Sequence, residues 1–301
     1  MHGPSMTTRA AFPELLATGP VPLDGAMGSA LIARGLPAGT PPEAWLLTPE
    51  GAAAVGAVHA AHVAAGARIV LTATFGASPI RLADGPAAGR LADVCAAAAA
   101  IARDAVPPGV LVAGDIGPTG ALLAPYGVLE PAAARAAFAE QAAALATAGV
   151  DLLWVETMAD LAEARAAVEG AREGVPDLPV VATLTFERGR TLFGDRPEVA
   201  AARLAELGVA AVGANCGAGF EAVLEVLPGL ARGAGGLPLV AKANAGRPTA
   251  APDGTVTYPA TPADAAIYAR RAADLGASFV GGCCGTTAEH VAAIAQALAD
   301  R

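Results

Sequence analysis

Lysine is almost absent from this chain. Among 301 residues Lys242 stands alone, and 19 basic residues against 28 acidic ones leave a formal charge of −9. A phosphate backbone selects for clustered Lys and Arg, so nucleic acid is excluded as a partner. Cysteine is scarce as well. Four in 301 residues, two of them adjacent, are too few and too oddly spaced for a secreted disulfide framework and imply reduced thiols. No apolar stretch escapes Gly, Pro or charge for the roughly 20 residues that a membrane helix needs. The first twenty residues, MHGPSMTTRAAFPELLATGP, lack the basic and apolar segments of a secretion signal. A cytoplasmic location without membrane contact is therefore expected. Aromatic residues make up only 4%, yet 54% hydrophobic against 16% charged residues supplies ample core material and excludes disorder.

What is abundant is alanine, in tracts that alternate with Val/Leu/Ile-rich runs. Gly66, Gly149, Gly208 and Gly276 each close an Ala-rich helical stretch and are followed within a few residues by an apolar run: RIVLTATF, VDLLWVET, VAAVGANC and ASFVGGCC. That is a helix C-cap feeding a buried strand. Four further runs, VPLD, VLVAGDIG, LPVVATLTF and LPLVAKAN, bring the total to eight. The spacing leaves room for a helix after each, so the pattern is repeated βα units with a parallel sheet. Eight units without a composition break predict a closed (β/α)₈ TIM barrel, with residues 1–301 as one domain.

A barrel of this kind carries its active site at the C-terminal strand ends. In chain order those ends hold Asp24, Thr72 with Thr74, Asp115, Glu156 with Thr157, Thr185 with Glu187, Cys216, Asn244, and Cys283 with Cys284. Three of the four thiols thus fall on one rim. Adjacent strand residues face opposite ways, so Cys283 and Cys284 reach one metal only where the strand ends and turns, and Gly281, Gly282 and Gly285 surround that point. Three thiolates form an incomplete tetrahedron for Zn²⁺, with the open position of a catalytic site. The alternative is that adjacent cysteines are small buried packing residues. Cys95, in the helical stretch RLADVCAAAAAIARD, keeps that packing reading.

The segments DGAMGS (24–29), GDIGPTG (114–120), WVETM (154–158), GANCG (213–217) and GGCCGTT (281–287) together resemble the homocysteine S-methyltransferase family. TFERGRTLFG and GGCCGTT look most like the homocysteine-binding module of cobalamin-dependent methionine synthases. The resemblance implies zinc on Cys216, Cys283 and Cys284, and homocysteine as the acceptor. Its amino-acid group would be held by Asp24, Gly25, Ala26 and Glu156: carboxylates for the ammonium, and turn amides from Gly25 to Met27 for the carboxylate. A plain Asp-Gly turn and an ordinary surface acid are the alternatives for Asp24 and Glu156. Asn244, in KANAG, matches a position close to the metal, where its amide oxygen would take the fourth site before substrate arrives. Ala73 departs from the family, which often has Asn there.

The resemblance further implies methyl transfer that yields methionine. Lone family members of about this length use a sulfonium donor, and S-methylmethionine is preferred here over bulkier S-adenosylmethionine. A cation suits the charge of −9 and the aromatic residues expected at the mouth, Phe75, Tyr126, Phe193 and Tyr258. Methylcobalamin or a separate corrinoid protein is the alternative donor, and another small thiol or selenol the alternative acceptor. A silent zinc-binding barrel is the reading from a different class. His59 and His62 share a helical face expected on the outer ring, away from the mouth. Thr286 and Glu289 have the spacing of a capping box for the last helix, which gives His290 a structural use.

Overall fold

The computed structural model describes residue 12, residues 14–250 and residues 256–301. Ten strands follow in chain order: β1 (Val21–Pro22), β2 (Ile69–Leu71), β3 (Leu111–Ile116), β4 (Leu152–Met158), β5 (Val180–Leu184), β6 (Ala211–Cys216), β7 (Leu239–Ala243), β8 (Thr249–Ala250), β9 (Val256–Thr257) and β10 (Ala277–Gly282). Eight of them form one parallel sheet in the order β1-β10-β7-β6-β5-β4-β3-β2. A parallel bridge between Leu23 and Ile69 joins its two edges, so the sheet closes into the expected (β/α)₈ barrel. β8 and β9 form a small antiparallel hairpin outside the barrel that the sequence reading does not anticipate.

The punctuation between elements is chemical. Gly66, Gly149, Gly208 and Gly276 all have left-handed φ, between 72° and 104°, where an L side chain is strained. Proline opens helices 42–45, 49–64, 79–82, 131–147, 197–206 and 262–274, where its missing N–H costs nothing. The last helix, Ala288–Ala299, starts one residue later than the sequence suggests. Thr287 and His290 form its capping box, in place of Thr286 and Glu289, because Thr286 is engaged elsewhere. The i, i+3 pattern fits both registers, and only the tertiary partner of Thr286 separates them.

Strand alternation divides the core in two. Leu111 and Ala113, Leu152 and Trp154, Val181, Ala211, Val240 and Phe279 fill the barrel interior, while their sequence neighbours pack outward on the helices. Trp154 meets Phe279 edge-on at 6.4 Å, and Phe12 stacks on Phe279 at 5.3 Å. Two residues further along the same inward rows stand Asp115, Glu156 and Lys242, and four residues beyond Ala211 stands Asn215. The layer above the apolar plug is therefore polar, and it is the layer the mouth opens on.

Candidate active site

The three sulfur atoms of Cys216, Cys283 and Cys284 lie within 4.8 Å of one another. Two local features bring them together. Cys216 ends β6 with φ of 64°, an uncommon conformation for a residue with a Cβ, which turns its side chain off the strand. Cys283 follows β10 directly, and Gly282 lets the chain pass Thr286: a methyl on Gly282 would lie 2.3 Å from Thr286 Oγ1. Thr286 Oγ1 donates to Cys283 O at 2.7 Å and accepts from Ala26 N at 3.1 Å, while Gly285 N donates to Ser29 Oγ at 3.1 Å. The DGAMGS turn and the Cys-Cys corner are thus one hydrogen-bonded unit. Cys95 is buried on helix Leu91–Ala105 and takes no part.

The thiols share their charge unequally. Hydrogen bonds from the thiols of Cys283 and Cys284 push Cys216 down to about 3, and the same bonds hold both partners above their ordinary value. Asn215 braces the group from inside the barrel. Its Oδ1 accepts from Thr157 N and Thr183 Oγ1, both at 2.8 Å, and its Nδ2 donates to Thr157 Oγ1 at 2.6 Å and approaches Cys283 Sγ at 3.9 Å. Asn244 lies beside Cys216: Nδ2 donates to Gly217 O at 2.8 Å and sits 3.4 Å from the sulfur, while Oδ1 is buried without a hydrogen-bond partner among the described residues. Three soft donors with an orphaned amide oxygen alongside fit a thiophilic divalent metal.

A cavity of about 550 Å³ joins the sulfurs to a charged cluster. Asp24, Asp115, Glu156 and Lys242 line it, each 6% exposed or less. Lys242 Nζ stands 3.4 Å from Asp24 Oδ1 and 3.7 Å from Glu156 Oε2. Burial raises Glu156 to about 7 in spite of the lysine, and burial with the Glu156 charge holds Asp115 well above the carboxylate range. Burial also opposes the charge on Lys242, but Glu156 and Asp24 outweigh it and hold the ammonium protonated. Asp24 Oδ2 accepts from Leu71 N at 2.8 Å, and the Asp115 backbone is tied by Thr72, Thr74 and Gln141.

Several other sequence expectations meet this geometry. Gly25 and Ala26 line the cavity, but the Ala26 amide already serves Thr286. Thr185 and Glu187 are not on its wall, and Glu187 pairs with Arg247 at 3.2 Å. Phe75 is on the wall, with the Arg81 guanidinium 5.8 Å from its ring centroid. Tyr126 and Phe193 instead stack on each other at 4.7 Å, and Tyr258 packs over Gly285. His59 and His62 stand on an outer-ring helix between β1 and β2, but correct the expectation that they lie away from the mouth. Both are buried, and a methyl on Gly25 would lie 3.0 Å from His62 Nε2. Their i, i+3 spacing defines a shared face but not its direction, because alanine occupies every side of helix Pro49–Ala64.

The family model described as homocysteine S-methyltransferase matches residues 21–298, the whole barrel. The chain belongs to the homocysteine S-methyltransferase family. Among its relatives is methionine synthase of Mycobacterium tuberculosis, 35% identical over 81% of this chain. That of Mycobacterium leprae is 34% identical over 80%. The chain spans about a fifth of their length, 21%. The metallated form of the homocysteine methyltransferase MmuM from Escherichia coli superposes with a TM-score of 0.79 at 27% identity, covering 95% of this chain and 99% of that one. A methyltransferase from Methanosarcina mazei shares the fold, with a TM-score of 0.61 at 15% identity.

Within this homocysteine S-methyltransferase family member, Lys242, Asn215 and Thr286 are the site residues the sequence reading passes over. A lone lysine in the apolar run LPLVAKAN of an acidic chain is a signal for the first. Its row is shared with Val240, which points it inward.

Proposed function

We propose that this protein is a zinc-dependent S-methyltransferase that converts homocysteine to methionine. One observation carries the reading: a single cavity has three thiols at one side and, at another, three carboxylates that each present a buried oxygen without a hydrogen-bond donor, Asp24 Oδ1, Asp115 Oδ1 and Glu156 Oε2. A ligand with a thiol at one end and an ammonium at the other answers both. Held by Cys216, Cys283 and Cys284, zinc would supply the Lewis acidity that keeps the acceptor sulfur deprotonated at neutral pH.

The residues of the chain do the rest by position. Asp24 and Glu156 bind the acceptor ammonium and fix its thiol end toward the cysteines. Asn215 and Thr286 hold the strand ends on which those cysteines stand, and Phe75 with Ala73 walls the cavity against water. The acceptor sulfur forms a bond to the donor methyl carbon as the donor's carbon–sulfur bond breaks, and a sulfonium leaves as a neutral thioether. With S-methylmethionine, donor and acceptor both end as methionine and one proton, that of the acceptor thiol, is released. A reducing cytoplasm is the compartment that suits free thiols in this chemistry.

A corrinoid protein as donor is the second reading. Exposed Leu122, Tyr126 and Val128 on the segment after β3, with Leu192 and Phe193 on the segment after β5, favour it, since they offer apolar surface at the mouth end. Purified protein with zinc, homocysteine and S-methylmethionine is expected to yield methionine without further additions. Silence with both sulfoniums, together with turnover on methylcobalamin or a methylated corrinoid protein, would transfer the donor assignment to the second reading.

A further inference from the structure

We infer that Arg81 and Glu43 form a separate subsite at the rim of the cavity, which holds the carboxylate and the ammonium of an α-amino-acid sulfonium donor. The assignment rests on the sulfonium transfer proposed above and adds where that donor lies. Room is the first observation. Homocysteine has about eight non-hydrogen atoms, and at no more than the roughly 30 Å³ that a water takes for each it fills on the order of 240 Å³. In a cavity of about 550 Å³ that leaves space for a second small molecule.

The wall away from β4 and β7 carries one charge of each sign. Thr40, Glu43, Phe75 and Arg81 line it. Glu43 and Arg81 meet over Gly76, where an added methyl would lie 2.8 Å from Glu43 Oε1 and 3.3 Å from Arg81 Nε. Glu43 is buried on the short helix 42–45, and its Oε1 accepts from Gly76 N, which fixes the carboxylate. Arg81 is exposed, whereas the Asp24, Glu156 and Lys242 cluster is buried, so Arg81 stands at the opening. Arginines elsewhere in this acidic chain pair with carboxylates, as Arg90, Arg135 and Arg271 do. Arg81 forms no ion pair among the described residues, and its guanidinium stands 5.8 Å from the Phe75 ring centroid. A planar guanidinium fork matches a carboxylate, and an anchored carboxylate matches an ammonium. Neighbouring but unpaired, the two side chains suit a zwitterionic head group, whose sulfonium end then points inward to the thiols.

The zinc-loaded enzyme is assayed with homocysteine and a set of sulfoniums. S-Methylmethionine and S-adenosylmethionine carry the whole head group, and the one that is turned over names the source. Dimethylsulfoniopropionate keeps the carboxylate alone, and (3-aminopropyl)dimethylsulfonium the ammonium alone. Arg81→Met is expected to raise KM about tenfold or more for carboxylate-bearing donors, and to leave KM for the aminopropyl donor and for homocysteine within about twofold. Arg81→Lys should recover part of the loss. Glu43→Gln, whose amide oxygen still accepts from Gly76 N, is expected to do the converse: weaken the ammonium-bearing donors and spare dimethylsulfoniopropionate. Equal changes across the donors, or a KM for homocysteine that rises as much as that for the donor, would overturn the subsite and leave sulfonium transfer standing. Wild type silent with every sulfonium would overturn it together with the proposed donor. Should either variant not fold, the wild type still decides: S-methylmethionine must show a lower KM than both single-group sulfoniums, and equal values would refute the assignment.

Discussion

At the scale of single residues, the site is built from groups that are costly where they stand. Each of the three clustered cysteines should be indispensable to metal binding: Cys216→Ala, Cys283→Ala and Cys284→Ala are expected to lose zinc on metal analysis, while Cys95→Ala retains one zinc per chain. Asp24→Asn and Glu156→Gln should keep zinc and lower kcat/KM for homocysteine roughly ten- to hundredfold, the worth of a charge-assisted contact. Zinc loss in those variants, or unchanged kinetics in both, would contradict their assignment to the ammonium. His59 carries a different liability. Neither ring nitrogen has a partner among the described residues, and burial lowers its pKa from 6.5 to about 4. The unfolded chain therefore takes up the proton first as pH falls. The stability due to neutral His59 is complete above pH 6.5 and disappears as pH drops through about 4. His59→Leu should flatten the denaturation midpoint across that interval, a difference on the order of 3 kcal/mol; an equally steep acid loss would place the liability elsewhere.

At the scale of elements, the strand ends decide function and the turns after them decide geometry. Gly282 shows how tightly. A Cβ there would lie 2.3 Å from Thr286 Oγ1 and 2.5 Å from its Cγ2, on the residue that ties Cys283 to the Ala26 turn. Gly282→Ala is expected to weaken zinc by roughly 10- to 100-fold, as loss of a ligand's support does, with the circular dichroism of the barrel preserved. Eight strand ends were legible in the sequence because apolar runs stop at polar residues, and the four capping glycines stood where left-handed φ was needed. Cys216 could be placed on the rim for the same reason. Side-chain direction beyond the strand end was less legible. Asn215 reaches across β4 and β5 to Thr157 and Thr183, Thr286 bonds across 260 positions to Ala26, and the His59–His62 face turns inward. Such long-range contacts leave no periodic trace. The hairpin of β8 and β9 consists of two exposed residue pairs, too short to register as a pattern.

At the scale of the whole molecule, the barrel is not uniformly closed. β6 and β7 pair over five registered positions, whereas β1 has two residues against β10 and meets β2 through one bridge. Asp24 supplies much of that seam: its amide donates to Ile69 O at 3.2 Å and its Oδ2 accepts from Leu71 N at 2.8 Å. Hydrogen exchange should run faster in segments 21–24 and 69–71 than in 211–216 and 239–243, and Asp24→Asn should quicken it at Leu71 specifically. Uniform protection around the barrel would refute a weak seam. The carboxylate proposed to hold the acceptor is thus also the latch between the first and last edges of the sheet. Occupancy and closure then share one free energy, so a bound acceptor fastens the ring and an empty site leaves it ajar. Breathing is concentrated at the carboxylate proposed to hold the acceptor, and heat tolerance in this molecule becomes a gauge of how well it is fed.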